Sequence, residues 1–353
     1  MPVWHPGFLL FADRWQAIHT VAMTDLVTPD AIRQTALGWH RAGQGAVLAT
    51  VVSTWGSAPC AVGAQMAISG QGEFAGSVSG GCVEGAVVLE ALAALADRTP
   101  RLLRYGISDD SAFAAGLACG GTIEVMVEPV GDSPLALPDG TLAALSMAQA
   151  TRMPVALETH LGTWSRRILR AEEDATAAAR LAQDWSGREG TTLFIAVHNP
   201  PLRLIVVGAV HIAQALVPMA RACGYACTVI DPRTSFATGA RFADVTVDTD
   251  WPDTALAAHS PDARTAIVTL AHDPKLDDPA ILFALRCKAF YIGCLGSRRT
   301  HATRLDRLRE QGIDATDLAR IHAPVGLNIG AQNPGEIAVS ILAQMTQILR
   351  GPR

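Results

Sequence analysis

The sequence has no run of about 20 consecutive apolar residues, the length a membrane-crossing helix needs. It has no long basic stretch, and its net charge of −5 gives nucleic acid no electrostatic footprint. Near the start, Phe8–Ala12 is a brief apolar patch with no Lys or Arg ahead of it, which is not the layout of a secretory signal. Cysteine is sparse. Seven residues, an odd number scattered through the chain, make no disulfide framework and point to reduced thiols in a cytoplasmic setting. Charged residues are only 17%, whereas apolar ones are 49% of 353 residues, enough for about two domains with a core each.

Residues 1–22 carry Trp4, Trp15 and two histidines without a period and read as an N-terminal arm or extension. A first domain is expected over 23–198. Its helix starts near Pro29, with Ile32, Ala36, Leu37 and Trp39 on the apolar side. Ala46–Ser53 and Ala64–Ser69 read as strands around the turn Trp55–Pro59, Val83–Ala96 as a well-covered helix, and Thr122–Glu128 as an alternating strand. Gly131–Gly140 is loop by composition, and residues 141–198 suggest one Ala-rich helix and several weaker strands. His198-Asn-Pro-Pro201 reads as a hinge.

From 202 to 353 the pattern changes to regular alternation. Strands are expected at Arg203–Val207, Ala226–Ile230, Asp244–Val247, Thr265–Leu270 and Phe290–Ile292. Helices are expected at His211–Cys223, near 279–287, at 298–310 and from Asn333-Pro334 onward. Such alternation implies a doubly wound parallel sheet that binds ligands at the carboxyl ends of its strands.

Two turns carry the chemistry. GSVSGGCVEG, Gly76–Gly85, follows an apolar run and opens a helix. Ser79 is placed to cap that helix, leaving N–H groups open at its first turn around Cys82. The helix dipole favours thiolate there, and Glu84 works in the opposite direction. Gly80 and Gly81 allow close backbone approach to a bound group. The plain alternative is a tight strand–helix turn with a buried, inert cysteine. No serine here has the G-x-S-x-G spacing of a hydrolase elbow.

The second turn, Gly208–Ala213 (GAVHIA), lies where a dinucleotide fingerprint belongs, with Asp231 beyond the next strand. Its second glycine is replaced by Val210, which obstructs a pyrophosphate, so the residues themselves argue against NAD(P). The N-terminus of the helix at His211 remains suited to a single phosphate, or His211 simply begins a helix. His272-Asp273-Pro274 and Gly296-Ser297-Arg298-Arg299 follow two further strands and belong at the same sheet edge. Ser297 and Arg298 are suited to an anion, unless they are a solvated helix start. His5, His19, His160 and His259 lack ligand spacing, Cys223 and Cys227 make a poor metal pair, and Cys287 and Cys294 read as core thiols.

Together these stretches resemble the XdhC/CoxI family, accessory proteins of xanthine dehydrogenase and related molybdenum hydroxylases. The carriers run from ATVVSTWGSAPCAVGAQM through GSVSGGCVEG, ACGGTIEV, LIVVGAVHIA, VIDPR, AHDPKLDDPAIL and YIGCLGSRRTHATRL to APVGLNIGAQNPGEIAVSILAQ. The resemblance implies a mixed α/β domain of that type followed by a Rossmann-like domain. It implies a non-catalytic chaperone that holds the molybdenum cofactor, as molybdopterin or its cytosine dinucleotide, during sulfuration and inserts it into an apo-molybdoenzyme of the xanthine dehydrogenase/aldehyde oxidase type. A cysteine desulfurase is a further candidate partner, and a homodimer is expected. Cys82 and Cys119 fall on family cysteine positions and become candidate molybdenum ligands, with Gly120 beside them. Gly208, Asp231, Ser297 and Arg298 occupy motif positions of the second half. Cys60 stands where the family commonly has arginine, Val210 where it has glycine, and Ala271 where it has threonine. The alternatives are an NAD(P)-dependent oxidoreductase, or a sulfurtransferase using Cys82 as a persulfide carrier.

Overall fold

The computed structural model describes residues 28–56, 58–106 and 121–351. The chain divides into two compact units between Pro200 and Pro201.

In the first unit, α1 (Pro29–Arg41) begins at Thr28, whose hydroxyl accepts the Ala31 N–H. Strands β1 (Ala46–Trp55), β2 (Gln65–Ser69) and β3 (Phe74–Gly76) follow, then α2 (Glu84–Asp97), β4 (Arg101–Tyr105) and β5 (Thr122–Pro129). They pair antiparallel in the order β3-β2-β1-β5-β4. The period-two alternation of β1 sends Val47, Ala49 and Val51 against Val87, Ala91 and Ala94 of α2. Ala46 and Leu48 face Ile32, Ala36 and Leu37 of α1. A helix on each face explains why β1 is buried without a break from Ala46 to Val52.

Residues 139–198 hold more structure than their composition suggests. They form α3 (Asp139–Ala150), β6 (Val155–His160), β7 (Arg166–Leu169), α4 (Ala175–Gln183), β8 (Gly187–Glu189) and β9 (Leu193–His198). The strands make a second antiparallel sheet, β7-β6-β9-β8. Arg166 of this sheet donates to the buried Glu128 of β5 at 2.8 Å, tying the two sheets together.

The second unit runs β10 (Arg203–Val207), α5 (His211–Ala222), β11 (Ala226–Ile230), β12 (Thr246–Asp248), α6 (Pro252–His259), β13 (Thr265–Thr269), α7 (Pro274–Arg286), β14 (Tyr291–Cys294), α8 (Arg298–Glu310), α9 (Ala315–Leu318), β15 (Ile321–His322) and α10 (Pro334–Arg350). All six strands are parallel, in the order β12-β11-β10-β13-β14-β15. This is the doubly wound order, with its switch point between β10 and β13. Helices α5 and α10 cover one face through Leu216, Val217, Ile341 and Met345. Helices α6, α7 and α8 cover the other through Leu256, Ile281 and Leu308.

Candidate functional site

In the first unit the turn is organised from inside. Gly76 has φ +87°, and a Cβ there would lie 2.4 Å from the Gln65 carbonyl oxygen and 2.6 Å from Ile32 Cδ1. Only glycine fits. The chain then wraps around the carboxylate of Glu84, the first residue of α2. The hydroxyls of Ser77 and Ser79 donate to it at 2.5 Å, and the N–H groups of Val78, Ser79 and Gly81 at 2.8–3.1 Å. Burial raises the Glu84 pKa, but these donors outweigh it and hold the carboxyl below its ordinary value.

This corrects the expected role of Ser79. The cap position is Val83, with no side-chain cap, and α2 starts at Glu84. Ser79 instead accepts the Val83 N–H at 2.8 Å while donating to Glu84. The N–H groups of Val78, Ser79, Gly80, Gly81 and Val83 are all bound internally, so they do not form an open cradle. Glu84, 6% exposed and saturated with donors, positions the turn. What faces outward is the exposed Gly80–Gly81 backbone, while Cys82 beside it is half-buried and packs against the core under α2. Cys60 joins them from the preceding loop, its Sγ 3.9 Å from the Ser77 hydroxyl, with Pro59 against Gly80. Cys119 and Gly120 lie outside the described residues.

In the second unit the loops after β10, β13 and β14 come to one edge, because those strands are adjacent and parallel. Gly208 (φ +109°) is required by close approach: a Cβ would lie 2.5 Å from the Ala271 amide nitrogen. Asp231 is fully buried and turned inward. It accepts the Ala209 N–H at 2.8 Å and pairs through both oxygens with Arg233 at 2.8 Å. Burial raises its pKa, and these hydrogen bonds outweigh that and hold the carboxyl low. A buried carboxylate thus occupies the glycine turn, where a pyrophosphate would need open N–H groups. In this structure Asp231 holds the glycine turn and Arg233 in place. Asp273 and Ser297 are helix caps, accepting the Lys275 and Thr300 N–H groups at 3.0 and 3.1 Å. His211, His272 and Arg298 are exposed at this edge, with Gly296 (φ +141°) beside them.

Beside that edge, between α7 and α8, is a cleft of about 270 Å³ lined by His272, Pro274, Asp277, Arg299, Thr300, Thr303, Arg304 and Arg307. The α8 lining residues recur at one-turn spacing and share a face. At its far end Arg307 clamps Asp278 bidentately at 2.7 and 3.0 Å. Asp277 and Arg304 are both buried, 3.7 Å apart at closest approach. Burial pushes the Asp277 carboxyl up to about 6, against the pull of Arg304 and the nearby His272 and Ala271 N–H groups. Sequence reasoning passed over this pair. The available signal was the match between the Asp277-Asp278 doublet and arginines three apart at 304 and 307. A larger, more apolar cavity of about 500 Å³ lies beside α3, β6 and β7 and carries none of these groups. Among the described residues no group of three or more His, Cys, Asp or Glu is placed to hold a metal ion. No described helix is long and apolar enough to cross a membrane.

These features define the class: a two-unit α/β protein with a thiol-bearing turn on antiparallel sheets and a Rossmann-like second unit. Residues 204–345 match the model described as XdhC Rossmann domain, and residues 39–106 match that of the XdhC and CoxI family. The chain is 32% identical over 309 residues to the molybdenum cofactor insertion chaperone PaoD of Escherichia coli K12, covering 87% of this chain and 84% of PaoD. It is 30% identical over 317 residues to a probable xanthine dehydrogenase subunit of Bacillus subtilis 168, covering 86% of this chain and 92% of that one. A crystal structure described as a xanthine dehydrogenase from Bacillus halodurans aligns at TM-score 0.69 and 25% identity, over 92% of this chain and 97% of that one. The chain belongs to the XdhC and CoxI family.

Proposed function

We propose that this chain is an accessory chaperone that binds the molybdenum cofactor, holds it while its sulfur ligand is installed, and inserts it into an apo-molybdoenzyme of the xanthine dehydrogenase/aldehyde oxidase type. Residues 23–198 and 202–353 are its working modules, acting in the cytoplasm as a homodimer without a catalytic turnover of their own. The cofactor is cargo. The observation that carries this reading is the α7–α8 cleft, a cavity lined by buried charged residues whose hydrogen-bonding atoms lack partners among the described residues, in a relative of a named insertion chaperone. Those residues suit a polar heterocyclic cargo, and the edge formed by His211, His272, Gly296 and Arg298 suits its phosphate-bearing part. In the first unit the half-buried Cys82 is the soft donor for molybdenum or its sulfur, with Cys119 as the second candidate. Glu84 and Ser79 set the turn's shape, and Asp231 sets that of the glycine turn. A cysteine desulfurase fits as sulfur donor.

The test is transfer. Chain purified anaerobically with its cargo is mixed with an apo-molybdoenzyme, and hydroxylase activity is followed with time. Activity rising with loaded chain, and not with chain stripped of cargo, is the expected result; no gain with loaded chain removes the reading. Cys82→Ala is expected to reduce the molybdenum load several-fold, and an unchanged load removes Cys82 from the role. A mass increase of one sulfur atom on Cys82 would favour the sulfur-carrying variant of this reading.

A further inference from the structure

Asp277 and Arg304 line the α7–α8 cleft with side chains only 2% and 3% exposed. A structural ion pair closes to a short bidentate contact, as Arg307 and Asp278 do one turn further along at 2.7 and 3.0 Å. Asp277 and Arg304 stay 3.7 Å apart at their nearest atoms. Both Asp277 oxygens, and Nε and Nη1 of Arg304, have no hydrogen-bond partner among the described residues. The His272 and Ala271 N–H groups are backbone donors that pull the Asp277 pKa down, at a geometry short of a full hydrogen bond. Burying such groups unsatisfied is costly, and ordinary folded interiors avoid it. The cleft wall therefore holds two carboxylate acceptors beside guanidinium donors, all with almost no accessible surface, a pattern that a ligand with adjacent donors and an acceptor would satisfy once these side chains turn to meet it.

We infer that this cleft recognises a 2-amino-4-oxopyrimidine edge. The ring N–H and the exocyclic amino group donate side by side to Asp277, and the ring carbonyl accepts from Arg304. The inference rests on the cofactor-carrying reading, because a pterin has this edge, and it assigns the cleft to the pterin ring rather than to a phosphate. A phosphate would be drawn by Arg299 and Arg304 but would bring its charge against the Asp277 carboxylate, whereas a donor edge meets that carboxylate favourably. The cavity of about 270 Å³ equals roughly nine water volumes of about 30 Å³, room for a bicyclic ring. His272 and Arg299 at the rim are the planar groups able to lie on a ring face.

The charged and titratable groups around Asp277 come from every neighbouring element. They are Arg304, Arg307 and His301 on α8, Asp278 on α7, His272 and Asp273 in the preceding loop, Cys294 at the end of β14, and Arg233 beyond β11. Against them burial prevails and the Asp277 carboxyl titrates at about 6. A donor edge bonds the ionised carboxylate, so its affinity rises with pH through that value. An anionic ligand follows the opposite course.

The experiment follows quenching of pterin's own fluorescence by the full-length chain, stripped of cargo, with lumazine (oxo in place of the amino group), guanosine and inorganic sulfate as competitors. Saturable pterin binding is expected, with lumazine weaker by at least about tenfold because one donor of the pair is lost. Pterin affinity is expected to rise by about tenfold per pH unit below pH 6 and to level off by about pH 7. Asp277→Asn is expected to abolish both the pterin–lumazine preference and the pH slope. Absent pterin and guanosine binding, equal binding of pterin and lumazine, or a sulfate-competed site that weakens as pH rises would each overturn the inference. The lumazine comparison on unmutated protein decides the matter even if the variant misfolds. Guanosine bound in preference to pterin keeps this inference and overturns the cargo reading. Molybdopterin carried equally by unmutated chain and by Asp277→Asn keeps the cargo reading and overturns this inference.

Discussion

Glu84 and Asp277 are both buried carboxylates, and their surroundings move them in opposite directions. Glu84 is met by five donors, which hold it ionised below its ordinary value of 4.5. Its contribution to stability is present above that value and lost as pH falls through the lower folded one. Glu84→Gln replaces an acceptor by an amide donor facing N–H groups, and is expected to destabilise the first unit by about 2–4 kcal/mol at neutral pH. Thermal melts should show the gap to the unmutated chain closing in acid; a pH-independent gap would contradict the account. Asp277 has the opposite sign. Its folded value of about 6 lies above the ordinary 3.8, so its contribution is complete below 3.8 and is lost as pH rises through 6. Relative to Asp277→Asn, the unmutated chain should therefore lose up to about 3 kcal/mol between those values. Urea unfolding at several pH values reads this difference, and parallel curves for the two proteins would refute it.

At the scale of elements, the second unit was legible because parallel strands buried on both faces are short apolar runs bounded by Gly, Pro and Asp. Arg203–Val207, Ala226–Ile230 and the helix over 298–310 lie where the sequence places them. Helix α7 does not. It begins at Pro274 and carries Pro279 in its interior, a proline that reads as a helix start. Placing the start near 279 left Asp277 and Asp278 in a loop, and hid their alignment with Arg304 and Arg307. The turn before α2 misled for a related reason: a serine reads as a cap, but Glu84 gathers the donors that Ser79 was expected to serve. Strands as short as Gly187–Glu189 lack a period to detect. The element least tolerant of change is the β10–α5 turn. Gly208→Ala places a Cβ 2.5 Å from the Ala271 backbone at φ +109°, and should cost more than about 3 kcal/mol. Chemical denaturation monitored in the second unit would check this, and a loss within error would contradict it. Val210→Gly restores the fingerprint's second glycine, yet NAD binding is not expected in equilibrium dialysis, since Asp231 still holds the Ala209 N–H.

At the scale of the whole molecule, each unit builds its core from its own residues. The clusters packed on either face of the parallel sheet run only from Leu202 to Leu349. Each unit is accordingly large enough to fold cooperatively. Family membership was legible because long motifs survive in order along the chain, whereas the cleft depends on contacts between α7 and α8 that no single motif contains. The central claim, that this chain carries a molybdenum-bearing pterin, is tested most directly by anaerobic purification from cells making the cofactor, followed by molybdenum and pterin analysis of the same sample. Molybdenum and pterin are expected together, in comparable amounts approaching one per chain, and both sharply reduced in Asp277→Asn. Chain that emerges with neither, from cells whose cofactor supply is intact, would contradict that claim.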